Sequence, residues 1–267
     1  GAAADMTLYT RVAALSAETS PAGAVTVTDV DEIILKDIRA ADGVISVAAG
    51  GTVTALSVIS ETDKIGNNVN LTATGGDVLI DYIEVGRGSG GVVIVADGNV
   101  REVDAADADV DVAGSYADIT LGGEFGSIAN PMLNLELDLS LFIFLGEDLI
   151  HDFTGDVELN IDASGIIDVT AAGTVTVAHM VSGEGEITVG STGGDIVIGY
   201  IDAGAGSGVV SLTATGSIYE LEPSDEGVDL IAQEAYLYAG AHIGGGSEEN
   251  LYLETEVGTL VAEVGNS

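Results

Sequence analysis

The sequence predicts an all-β protein whose short strands stack as a parallel β-solenoid. Three observations favour this fold: a long internal repeat, short alternating apolar runs between turn residues, and few large aromatic side chains. Hydrophobic residues make up 46% of the 267 residues, so a packed core can form and disorder is not expected. Aromatic residues make up only 4%, which is low for a β-sandwich with its wide core.

The internal repeat is visible when the chain is compared with itself. Three pairs of segments match: 43–59 with 165–181, 75–83 with 193–201, and 86–90 with 204–208. The paired segments lie 122, 118 and 118 residues apart, so a unit of about 120 residues occurs twice. A repeat of this length, built from many short strand-like pieces, is typical of a stacked array and not of an enzyme core.

Within each repeat, short apolar runs such as 44–47, 78–80 and 92–95 are separated by Gly, Asn, Asp and Ser. Alternation with a period of two predicts β-strands, whereas the helical spacing of three and four is hardly visible. Strands recur about every 10 residues, and we expect roughly 12 coils of about 22 residues each. Val, Ile, Thr and Ala dominate the runs, and they suit columns of side chains stacked about 4.8 Å apart.

A third, partial copy of the repeat lies near the C-terminus. Residues 251–262 resemble residues 6–17, and 133–139 form a middle copy. The boundaries that this predicts are 1–132 for solenoid repeat 1, 133–250 for solenoid repeat 2, and 251–267 for the start of a third repeat.

The chain therefore begins and ends at the same phase of its repeat. An open solenoid end exposes unpaired backbone N–H and C=O groups, which invite another strand. We expect the chain to stack head to tail with copies of itself or to belong to a longer covalent array. The residues that we predict at these continuing ends are Val12, Leu15, Val257 and Leu260.

Several short motifs of the chain recur in large bacterial surface proteins. They are Leu71-Thr72-Ala73-Thr74-Gly75, its second copy at 212–216, Gly126-Ser127-Ile128, and the closing element 253–260. In these motifs the chain resembles filamentous-haemagglutinin-like adhesins and autotransporter passenger domains over almost its whole length. The resemblance implies a right-handed parallel β-helix, secretion to the cell surface, and an adhesive or fibre-forming role. It carries over no catalytic residues, and the acidity of this chain is high for such adhesins.

The charge of the chain excludes several classes of partner. Acidic residues number 44 against 6 Lys and Arg, which gives a formal net charge of −38. Nucleic acid and anionic membrane surfaces are not expected partners, because both need Lys and Arg. The chain has no cysteine and no apolar stretch long enough to predict a membrane-spanning helix. The acidity suits salty or calcium-bearing water outside the cell, or serves to keep an apolar repeat soluble.

Closely spaced acids suggest a calcium site. Asp104, Asp107, Asp109 and Asp111 could supply the oxygen ligands that calcium prefers, and the last three would share one face of a strand. However, the sequence contains neither an EF-hand loop nor the Gly-Gly-x-Gly-x-Asp nonapeptide of calcium β-rolls. The alternative is a solvated outer face, and we expect no cofactor to be required.

Two phenylalanines stand out in the run 141–145. Phe142 and Phe144 belong either to an apolar surface for lateral contact with another molecule or to a wider coil that needs large side chains inside. We predict them as interface residues while leaving the second alternative open.

Catalysis is not expected from this sequence. The three histidines, at 151, 179 and 242, share no spacing, and no nucleophile elbow, P-loop or zinc-protease motif is present. The main prediction is thus a structural filament or adhesin segment. The alternatives are a calcium-dependent module that binds surface glycans and, less favoured, a β-helix enzyme acting on polysaccharides.

Overall fold

The chain is all-β and forms parallel stacked strands, as a computed structural model shows. The described residues are 4–103, 109–126, 135, 137–146, 148–153, 155–183, 185–222, 227–244 and 252–265. They contain no helix, and their strands make about 10 turns of β-solenoid, which confirms the predicted fold class. The chain divides into two compact units, unit 1 at 1–143 and unit 2 at 144–267. The predicted repeat boundaries remain a sequence-based prediction.

Unit 1 contains fifteen complete strands among its described residues. They are β1 (Met6–Thr10), β2 (Ala14–Thr19), β3 (Val25–Asp29), β4 (Ile33–Ala40), β5 (Ile45–Ala49), β6 (Val53–Ala55), β7 (Val58–Ser60), β8 (Val69–Ala73), β9 (Val78–Ile80), β10 (Ile83–Glu84), β11 (Gly91–Ala96), β12 (Val100–Glu102), β13 (Val112–Ala113), β14 (Tyr116–Leu121) and β15 (Leu137–Asp138). Strand β16 (Leu141–Gly146) includes the boundary between the units.

Unit 2 continues with eleven strands among its described residues. They are β17 (Leu149–Phe153), β18 (Val157–Ala163), β19 (Ile167–Ala171), β20 (Val175–Ser182), β21 (Glu186–Ser191), β22 (Ile196–Ile198), β23 (Ile201–Asp202), β24 (Val209–Ala214), β25 (Ile218–Glu220), β26 (Leu230–Ala239) and β27 (Thr255–Val264).

Each unit is built from parallel ladders in which every strand stacks on the strand one turn earlier. In unit 1 the longest ladder runs β1, β3, β5, β8, β11 and β14. In unit 2 the corresponding ladder runs β17, β19, β21, β24, the second half of β26, and β27. Because alternate side chains point inward, stacking in register lines like residues up in columns. One buried column of unit 1 contains Val27, Val47, Leu71, Ile94 and Ile119.

The turns lengthen along both units in the same way. In unit 1 the first turn of the longest ladder places Val25 beside Met6. The last turn, which places Ala117 beside Val92, contains more residues. In unit 2 the turn that joins β17 to β19 is likewise shorter than the turns that join β21 to β24 and β24 to β26. The described strands make about 10 turns, fewer than the roughly 12 coils expected from the sequence.

An aspartate at one corner of each unit caps the next turn. Oδ1 of Asp77 accepts a hydrogen bond from the backbone N–H of Asn99 at 2.8 Å. In unit 2, Oδ1 of Asp195 accepts one from the N–H of Ser217 at 2.6 Å. The two aspartates belong to the matching segments 75–83 and 193–201. The sequence repeat therefore corresponds to a repeated corner geometry.

Candidate functional site: the acidic corner and the last rung

Strand β27, the last rung of unit 2, exposes side chains that would be buried one turn earlier. Ala235 and Ala239 of β26 face inward and are buried, and they pair with Leu260 and Val264 of the last rung. Leu260 is 46% exposed and Val264 is 48% exposed. No register pairs the last rung with a further strand among the described residues of unit 2. Its inward row is thus an uncovered apolar edge within that unit.

The residues predicted at the continuing ends are accessible in the structure. Leu260 is exposed and Val257 is half-buried on the last rung, and in unit 1 Val12 is exposed while Leu15 is half-buried. Whether they meet another copy remains a prediction.

The lateral-contact prediction for the two phenylalanines is wrong. Phe142 and Phe144 are 0% and 1% exposed, so neither ring is available at the surface. Within unit 1, the Phe142 ring packs at 5.5 Å from the ring of Phe125. Their size fills the interior, which was the alternative that the sequence left open.

The predicted calcium residues are only partly described. Asp104 and Asp107 lie outside the described residues. Asp109 is exposed, whereas Asp111 is buried at 2% exposure. The calcium prediction for this set is therefore untested.

A different group of acids is brought together in unit 2, and we call it the acidic corner: Glu220, Asp229 and Glu254. Glu220 ends β25, and it is buried because the alternation of that strand points it inward beneath Ile198. Asp229 directly precedes β26 and is also buried. Glu254 directly precedes the last rung and is half-buried.

Backbone hydrogen bonds join Asp229 and Glu254 across one turn. The N–H of Glu254 donates to Oδ2 of Asp229 at 2.8 Å. In return, the C=O of Glu254 accepts from the N–H of Asp229 at 2.9 Å and from that of Leu230 at 3.2 Å. The corner thus clamps the start of the last rung onto the start of β26.

The three carboxyl groups lie unusually close together. One oxygen from each lies within 4.8 Å of the others, a spacing that a metal ion could also use. Three carboxyl groups this close in a buried site repel one another when all are ionised, and a proton on one of them removes a charge and lets that group donate a hydrogen bond to its neighbour. Asp229 and Glu254, already joined by the backbone contacts, are the pair placed to share such a proton, and we assign no metal to the corner.

Electrostatics agree with a shared proton. Burial raises the pKa of Asp229 to about 7; the backbone N–H of Glu254 opposes this shift, while the Glu254 side chain and the charge of Glu220 add to it. Oε2 of Glu254 is buried and accepts no hydrogen bond from an N–H group. No Lys or Arg occurs in the sequence after Arg101, so no such side chain of unit 2 can neutralise the corner.

The same spacing of acids occurs in the first repeat. Glu102 and Asp111 stand 118 residues before Glu220 and Asp229, and both are buried. Glu102 lies beneath Ile80, as Glu220 lies beneath Ile198. The third equivalent, Glu136, lies outside the described residues.

Sequence reasoning missed the acidic corner because it grouped acids that are neighbours in the chain. The acids of the corner are not neighbours in this sense, because Asp229 lies nine residues after Glu220 and Glu254 lies a full turn after Asp229. Applying the repeat offset to the acids themselves would have found the recurring trio.

A histidine of unit 2 is buried without a visible catalytic role. His151 packs edge-on against the ring of Phe153 at 4.6 Å. Burial lowers the pKa of His151 to about 3, so the ring is neutral near neutral pH. It fills the core beside an aromatic neighbour.

Comparisons with known proteins leave these features to be interpreted from the structure. No family model, no curated protein and no solved structure matches the chain. Among the described residues no helix is long and apolar enough to cross a membrane.

Proposed function

We propose that this chain is a structural segment of an extracellular filament or adhesin, in which copies stack end to end through open solenoid rungs. The observation that carries the proposal is the uncovered inward row of the last rung. Burying apolar side chains such as Leu260 and Val264 under another rung would add about 25 cal/mol for each Å² removed from water.

The occupant that fits this edge is a parallel rung of the same repeat, contributed by another copy. Residues 251–262 resemble 6–17, so the last rung carries the same sequence pattern as the region of β1 and β2. The inward residues of β1, Met6 and Leu8, are only half-buried in unit 1 and offer a matching row. The acid-rich surface makes copies repel one another, so salt should assist their stacking.

A single substitution can block the edge without disturbing β26. The N–H of Gly265 donates to the C=O of Ala239. Successive N–H groups along a strand point to opposite sides, so the N–H of Ala262 faces away from β26. Ala262→Pro would remove that outward donor and keep the pairing to β26. Ala262→Val is the matched control, because it keeps the donor and adds apolar surface.

The test is sedimentation velocity and electron microscopy of the purified chain in high salt. We expect end-to-end fibres for the unsubstituted chain and for Ala262→Val, and single molecules for Ala262→Pro. Single molecules for all three proteins at high concentration would refute the proposal. Equal fibres from Ala262→Pro would show that association uses another surface.

A further inference from the structure

The acidic corner lies where the chain enters the last rung. Glu254 is followed directly by Thr255, and Thr255 pairs with Leu230. The clamp between Glu254 and Asp229 therefore fixes the first residue pair of the ladder on which the rest of the rung is aligned. A change in charge at the corner acts on the rung through these bonds.

Unit 2 offers no fixed positive charge to balance the corner. Its 22 acidic residues are accompanied by no Lys or Arg. When all three carboxyl groups are ionised, they repel each other at short range in a site with little water, where charge interactions are strong. A proton held between Asp229 and Glu254 would remove one of those charges and add a hydrogen bond.

The titratable groups around the pair are few. Glu220 faces it from β25, and its charge raises the pKa of Asp229. From the neighbouring β23, Asp202 is engaged elsewhere, because it accepts hydrogen bonds from Tyr200 and from the N–H of Gly204. Glu222 is exposed, and Asp225 and Glu226 lie outside the described residues.

We propose that the proton shared by Asp229 and Glu254 is a lock that holds the last rung onto β26. Loss of the proton leaves three crowded carboxylates in mutual repulsion, weakens the clamp, and lets the last rung open. Glu102 and Asp111 recur at the same spacing in unit 1, so two of the three acids belong to the repeat. If the last rung is also the stacking edge, which rests on the proposed function, association weakens as the lock opens.

The test is hydrogen exchange of the backbone amides in 255–264, measured on dilute protein that light scattering shows to be monomeric. At that dilution the result does not depend on stacking, so its failure is distinct from failure of the proposed function. We expect these amides, corrected for intrinsic rates, to exchange at least about tenfold faster at about pH 8 than at about pH 5.

Two variants make the test specific. Asp229→Asn keeps an oxygen acceptor for the Glu254 N–H and can donate to the Glu254 carboxyl, so the exchange should become independent of pH. Asp111→Asn, the equivalent change in unit 1, should leave the pH dependence at 255–264 intact. Calcium and EDTA are added in separate samples at about pH 8.

Three results would overturn the proposal. One is exchange of the unsubstituted protein that does not change with pH. Another is a pH dependence that persists in Asp229→Asn. The third is full protection at high pH on adding calcium, with loss in EDTA, since a cation and not a proton would then hold the corner.

Discussion

Units 1 and 2 share a backbone plan but neutralise their acids differently. Each carries 22 of the 44 acidic residues, yet all six Lys and Arg residues lie in unit 1. At the matching corners, Oδ2 of Asp77 accepts from Arg101 at 2.8 Å, whereas Oδ2 of Asp195 faces the hydroxyl of Tyr219 at 3.5 Å. The backbone cap on Oδ1 is the same in both.

This difference teaches which contacts the fold requires. The inward columns and the capped corners recur in both units, so they belong to the solenoid itself. The partner of the second carboxylate oxygen changes from a guanidinium to a phenol, so it is free to vary. Without Lys or Arg, unit 2 relies on N–H donors and hydroxyl groups at such corners.

The largest effect should come from truncating an equivalent buried side chain in the core of each unit. Ile94 in unit 1 and Leu212 in unit 2 are fully buried, at equivalent positions of the repeat. We expect Ile94→Ala and Leu212→Ala each to lower the free energy of unfolding by about 2–5 kcal/mol, because each leaves a cavity in a column. Urea unfolding measures both. Costs that differ by more than about 2 kcal/mol would show that the two cores are not equivalent.

A smaller effect is expected at the capped corners. Asp77→Ala and Asp195→Ala each leave a backbone N–H without its acceptor, which should lower the free energy of unfolding by about 1–2 kcal/mol. Asp77→Ala should cost somewhat more, because it also removes the partner of Arg101. Thermal unfolding of the two variants makes the comparison, with Asp77→Asn and Asp195→Asn as controls that keep the Oδ1 acceptor. Equal losses from the Asn variants would contradict the capping role.

The smallest effect should be a change of stability with pH in unit 1, opposite in sign to the change expected at the acidic corner of unit 2. Hydrogen bonds from Lys64, Asn67 and Thr62 lower the pKa of Asp42 to about 2. A lowered pKa in the folded state means that this contribution is present above about pH 4 and is lost as the pH falls towards 2. At the acidic corner the raised pKa of Asp229 acts in the reverse sense, and stability declines as the pH rises from about 4 to about 7.

Melting temperatures from about pH 2 to about pH 8 separate the two responses. Asp42→Asn should reduce the loss of melting temperature below about pH 4 and leave the change between about pH 4 and about pH 7 as it is. A larger loss of melting temperature at acid pH in that variant would contradict the assignment to Asp42.

Much of the fold was predictable because a solenoid is a local pattern repeated. Alternation in 44–47 and 78–80 predicts strands with one inward face, and β5 and β9 lie there. The repeat offset predicts equivalent corners, and Asp77 and Asp195 occupy them. Neither inference needs knowledge of distant contacts, because each strand meets its own equivalent one turn later.

The candidate site was not predictable in the same way. Alternation shows that Phe142 and Phe144 share a face, but not that the face is internal. The acids of the corner are separated in the chain, with Glu254 a full turn after Asp229, and their meeting depends on the lengths of the segments that join them. Neighbouring acids in the chain, such as Asp109 and Asp111, differ instead in burial.

The sequence by itself determined that the chain is β, that it repeats, and which residue types fill its columns, because side-chain period and composition act locally. Only the tertiary structure decided which faces are buried, how turn length grows along each unit, and which carboxyl groups meet. These depend on the register between turns, where a single added residue moves a side chain from the interior to the surface.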